Sequence, residues 1–141
     1  VTEIRFTVLG RPQQKGSKRV LGRPGQRPRI VDANTKARPW ADRVSAAARD
    51  VYHAELIRDG VEVELGFFFA RPKSHFGSGR NAGTVLASAP RHMTVMPDVD
   101  KLARCAIDAL TGVVLKDDAL ITRLVAVKGF GEPERLEVRI K

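Results

Sequence analysis

Val61-Glu62-Val63-Glu64-Leu65-Gly66-Phe67-Phe68-Phe69 places an apolar residue at every odd position and glutamate or glycine at most even ones. A period of two predicts a β-strand with one buried face, and Asp59-Gly60 supplies the turn before it. Upstream, Trp40, Val44, Ala47, Val51 and Ala54 recur at helical spacing, with Asp42, Arg43, Arg49 and Asp50 falling elsewhere. Pro39 suits a first helical turn, where its missing N–H costs nothing. A helix over 39–57 is expected, with Trp40 packing in the core rather than serving as a base-stacking platform. Nearer the N-terminus, Ile4, Phe6 and Val8 alternate with Arg5 and Thr7, a strand ended by Gly10 and Pro12. Residues 10–28 hold four Gly and three Pro, so a long loop is predicted, followed by a short strand at 29–32.

Downstream of Phe69, residues 71–96 are irregular and contain Gly77, Gly79 and Gly83; a loop of that length is usually functional or disordered. A second helix is predicted over 99–110. At about 100° per residue, Leu102, Cys105, Ala106, Ala109 and Leu110 share one face, and Asp100, Arg104, Asp108 and Thr111 the opposite one. Residues 121–127 are apolar on both faces, as in a central strand. Leu136, Val138 and Ile140 alternate with charged residues in a last strand with one solvated face. No repeat or linker splits the chain. The expectation is one α+β domain over residues 1–141, two main helices packed on a mixed β-sheet.

The chain carries 25 Lys and Arg against 16 Asp and Glu, a net charge of +9 and a pI near 10.4. Such a balance most often means contact with nucleic acid. The longest hydrophobic run, Leu65 to Ala70, is far short of the ~20 residues that span a bilayer, so no membrane partner is expected. Val1 to Val8 reads as a strand rather than a secretory leader. The lone Cys105 excludes an intramolecular disulfide and a cysteine-based zinc site. A reducing cytoplasm is the simplest location. The cations are unevenly spread. Arg11 to Arg29 holds Arg11, Lys15, Lys18, Arg19, Arg23, Arg27 and Arg29 with no acid. Leu65 to Pro97 is also acid-free and carries Arg71, Lys73, Arg80 and Arg91. A basic arm over about 10–29 and a basic loop over about 71–96 are therefore expected to contact DNA phosphates. The bland alternative is two solvated loops.

Against that background, Asp98, Asp100, Asp108, Asp117 and Asp118 crowd into one short stretch. Carboxylates facing DNA repel phosphate unless they hold a divalent cation, and hard oxygen ligands suit Mg²⁺ or Mn²⁺. Asp98 and Asp100, two apart before a helix, point the same way in an extended segment. Equally, Asp at a helix N-terminus is a common cap. Asp117-Asp118 precedes the strand at Ile121, and adjacent carboxylates diverge, so one of the two is expected at the cluster. Arg104, one turn after Asp100, either pairs with it or contacts the scissile phosphate. His53, His75 and His92 are read as solvated, and Cys105 as packing.

Pro97-Asp98-x-Asp100-x-Leu102, Asp108-Ala109-Leu110-x-Gly112-Val113, Asp117-Asp118, Ile121, Leu124 and Lys128, with Val8-x-Gly10-x-Pro12-x-x-Lys15 and Trp40, together resemble the RusA family of Holliday junction resolvases. The resemblance spans most of the chain. It implies a small, homodimeric, Mg²⁺-dependent endonuclease, often phage- or prophage-borne, that nicks four-way DNA junctions symmetrically, with Mn²⁺ a possible substitute. Carried over by motif, Asp98, Asp100 and Asp118 would be metal-binding catalytic acids, with Asp117 a further metal ligand and Arg104 in the place of the family's usual Lys. Lys101 stands where the family usually has Asn, and joins the DNA-contacting cations. Arg104 keeps a charge but does not readily give up a proton. The rival readings are a flap or other branched-DNA nuclease on the same scaffold, and a non-catalytic basic DNA-binding protein.

Overall fold

The computed structural model describes residues 3–141; Val1 and Thr2, at the head of the expected N-terminal alternation, lie outside the described residues. In chain order the elements are β1 (Ile4–Leu9), β2 (Lys18–Leu21), β3 (Arg29–Asp32), α1 (Ala37–Val51), β4 (Val61–Phe69), α2 (Val99–Leu110), β5 (Ile121–Phe130) and β6 (Arg135–Ile140). β1, β6, β4 and β5 form a sheet in that order. β6 is antiparallel to β1 and to β4, and β4 is parallel to β5. The fold is α+β with a mixed sheet and two main helices, as expected.

Alternation in the strands becomes a division between two faces. Val61, Val63, Leu65, Phe67 and Phe69 of β4 join Leu136, Val138 and Ile140 of β6 and Ile4 and Val8 of β1 in one core. Trp40, Val44 and Ala48 of α1 and Leu102, Ala106 and Leu110 of α2 complete it. Phe67 and Phe69 are 0% and 1% exposed, and burying such a side chain contributes about 1.5–3 kcal/mol. Both helices cover this one face. The opposite face holds an open groove of about 720 Å³, bordered by Phe68, Val125 and Val127 with Arg5, Glu64 and Arg139.

Three expectations need correction. The first helix begins at Ala37 and stops at Val51, because Tyr52 is extended (φ −122, ψ 111) and its hydroxyl donates to the Glu55 carbonyl at 2.5 Å. Its buried stripe is Ala37, Trp40, Val44 and Ala48, while Val51 is 48% exposed. His53 consequently lies beyond the helix. The expected loop over 10–28 contains β2, which pairs antiparallel with β3 (Lys18 opposite Asp32, Val20 opposite Ile30). All four β2 residues are exposed, so pairing rather than burial makes this strand, and no apolar period marks it. Finally, the strand at 121–127 runs to Phe130 and is an edge, not a centre. Leu124 and Val127, 45% and 52% exposed, point to opposite faces, one toward the helices and one toward the open groove. None of the described helices is long and apolar enough to cross a membrane.

Candidate active site

α2 presents Asp100, Arg104 and Asp108 four residues apart, which at 3.6 residues per turn puts them on one face. That face borders a cleft of about 480 Å³ whose far wall is β5, with Leu124 and Ala126 among its lining residues. Beyond the helix, Thr111 is extended and Gly112 takes φ +82. A left-handed glycine just past a helix end is a common stop, since it carries no Cβ to clash. The chain then reverses, and Gly112 N–H donates to the Leu115 carbonyl at 2.7 Å. This returns residues 117–118 to the mouth of the cleft, where Asp118 joins its lining.

The two adjacent acids divide their tasks. Asp117 caps the 3-10 turn Asp118–Leu120, its carboxylate accepting the Ala119 N–H at 2.9 Å. That bond holds the Asp117 carboxyl below the usual carboxylate range. Asp118 is left exposed at the cleft. Asp98 occupies the N-cap position of α2 but makes no side-chain cap bond. Its carboxylate meets Lys101 Nζ at 3.3 Å, and it is not among the residues lining the cleft. Asp108 is ion-paired with Lys15, whose own pKa is raised chiefly by that hydrogen bond. Arg104 is exposed, and among the described residues it forms no ion pair with Asp100.

The structure therefore brings Asp100, Arg104, Asp108 and Asp118 to one cleft and leaves Asp98 and Asp117 at its margins, bonded elsewhere. Among the described residues no three acids, histidines or cysteines stand ready as a metal cage. The donor chemistry nevertheless fits a hard cation. Mg²⁺ keeps several waters and is usually held by one or two carboxylates plus substrate phosphate, and Asp100 and Asp118 are oxygen donors without a salt bridge among the described residues.

Of the cations expected on DNA, Arg11 is paired with Glu134 at 2.6 Å and lies over the Phe69 ring. Arg71 donates to the Pro90 carbonyl at 2.7 Å and lies over Phe130. Lys15 and Lys101 are held by Asp108 and Asp98 as above. Lys18, Arg19, Lys73, Arg80 and Arg91 are exposed and form no ion pair among the described residues. His75 packs edge-on against Phe130. Cys105 is buried, and burial pushes its thiol up to about 11, which suits packing rather than reactivity. Sequence reasoning missed the side chains that hold the turn before Asp98, namely Gln14 and Lys128. The only signal was that Lys128 lies within the pattern quoted above.

No curated protein matches the chain. A family model described as Endodeoxyribonuclease RusA matches residues 11–141, from the root of the basic arm through every acid of the cleft to the last residue. The chain belongs to the RusA endodeoxyribonuclease family.

Proposed function

We propose that this endodeoxyribonuclease is Mg²⁺-dependent, with Mn²⁺ able to substitute, and resolves four-way DNA junctions by paired symmetric nicks as a homodimer in the cytoplasm. The observation that carries this is the cleft uniting Asp100, Asp118 and Arg104 in a strongly basic chain. A divalent cation bound there would neutralise phosphate charge and polarise the scissile bond. Asp100 and Asp118 would hold it, with Asp98 and Asp117 joining from the margins. Arg104 would face the phosphate being cut and offset its growing negative charge. The products would be 5′-phosphate and 3′-hydroxyl ends.

Two opposed cuts in a two-fold symmetric junction call for two sites related by a two-fold axis. The β5 edge supports such a pairing. It is ten residues long, and among the described residues no strand pairs with its outer side. A long apolar edge left open is a template for another chain. Joining two β5 edges about an axis perpendicular to the sheet keeps both clefts on the same side, each beside the shared seam.

The deciding assay compares a four-way junction with flap, Y-form and linear duplex substrates in Mg²⁺, Mn²⁺ and EDTA. The expected result is fastest cutting of the junction at two symmetry-related positions and none in EDTA. Equal cutting of all shapes would reject junction selectivity, and cutting in EDTA would reject the metal. The basic arm is tested separately by salt dependence. Lys18→Ala with Arg19→Ala should weaken binding to every DNA shape, and each lost phosphate contact should flatten the log–log salt slope by about 0.9. An unchanged slope would make β2 a solvated hairpin.

A further inference from the structure

The backbone leading into α2 is held from two sides by side chains distant in sequence. From the sheet, Lys128 on β5 sends its ammonium to two carbonyls, Val95 at 2.7 Å and Pro97 at 2.8 Å. Among the described residues it has no carboxylate partner, and the hydrogen bonds it makes to protein both go to this segment. From the arm, Gln14 Oε1 accepts the Asp98 N–H at 2.8 Å. In a capping box that N–H is taken by a Glu or Gln at the third helical position. Here the third position is Lys101, which has no acceptor, and Gln14 supplies one from 84 residues away. Gln14 is itself anchored. Its carbonyl accepts from Asn34 Nδ2 at 2.8 Å, and the next residue's N–H donates to the Lys101 carbonyl at 3.1 Å.

We propose that Lys128 and Gln14 are positioning residues for the acids at the cleft and its margin: by fixing the backbone at 95–98 from both sides, they set where Asp98 and Asp100 present their carboxylates. The inference rests on the metal-dependent reading above. It differs from simple electrostatics in sign. Removing a cation near a metal site should strengthen cation binding if charge alone matters. If Lys128 positions the acids, its loss should weaken binding, typically by about 10- to 100-fold when a residue supporting metal ligands is removed.

The test uses Lys128→Met and Gln14→Leu, each with a conservative companion, Lys128→Arg and Gln14→Glu, that keeps the donor or acceptor. Three quantities are measured: amide hydrogen exchange at Asp98 in the DNA-free, metal-free protein, Mn²⁺ binding from the resonance signal of free Mn²⁺, and thermal unfolding. Lys128→Met and Gln14→Leu should each speed exchange at Asp98, by about two- to tenfold for one lost hydrogen bond. They should weaken Mn²⁺ binding while exchange in β4 stays slow, and the companions should retain most of both properties. Unchanged exchange at Asp98, or Mn²⁺ binding that is equal or tighter in Lys128→Met, would overturn the inference. So would losses that merely track a lowered melting temperature in both variants. Equal Mn²⁺ binding by the native protein and Asp100→Asn is a separate outcome: it overturns the metal reading and takes this inference with it.

Discussion

Asp100→Asn and Asp118→Asn are each expected to cut Mg²⁺-supported cleavage of a four-way junction by at least about 10²- to 10³-fold, the loss that follows when one electrostatic contact to the transition state is removed. Both acids line the cleft beneath Arg104's helical face, and amide substitution keeps their shape while removing the charge that would hold a cation. Junction binding should stay equal or become tighter, because a phosphate-repelling charge is gone. Asp98→Asn follows in the same direction. Asp117→Asn is the internal control. Asn caps a turn about as well as Asp, so the bond to Ala119 survives and the effect should be milder. Single-turnover rates beside binding isotherms check the set. Near-native rates in the Asp100 and Asp118 variants would remove both from the site.

Arg104→Ala comes next in size, with a loss of about 10²-fold in rate and little change in binding, provided the guanidinium acts on charge that develops only during cleavage. Arg104→Lys should keep most of the activity, since an ammonium supplies the same charge. A structural role predicts the opposite pattern. The side chain is exposed and forms no ion pair among the described residues, so its removal should leave the melting temperature nearly unchanged. Single-turnover cleavage measured alongside thermal unfolding separates the two. An active but less stable Arg104→Ala protein would refute the catalytic role.

Where burial sets the period, the sequence was readable. β4 and α2 appear at their expected positions because each buries one stripe against the other's layer, and that stripe is written as period two or 3.6. β2 carries no such stripe, since its four residues are exposed and only its pairing with β3 defines it. β5 misled for a different reason. Apolar residues on both faces fit a central strand, yet here Leu124 serves the cleft and Val127 the open groove, which leaves the same pattern on an edge. For the site, the shared face of Asp100, Arg104 and Asp108 followed from helical geometry alone. The division between Asp117 and Asp118 did not, because it depends on a short turn whose cap is a local backbone contact. Gln14 and Lys128 act across 84 and about 30 residues of chain, and no local pattern encodes a partnership at that range.

The sheet face turned away from the helices carries a further consequence, for how the molecule meets DNA. Glu3, Glu62, Glu64 and Glu137 are each bonded there to Arg5, Arg123, Arg135, Arg139 or Lys141. Opposite charges on that side nearly cancel, so most of the +9 excess belongs to the rest of the surface, which includes the arm and the long loop. A body charged so unequally is turned by a polyanion's field before contact. Encounters that arrive on the side away from the balanced face should be favoured in the diffusional approach, and those on the neutral face should gain little. The association rate should therefore fall steeply with ionic strength, and reversing the sign of a few arm cations should slow arrival more than it speeds departure.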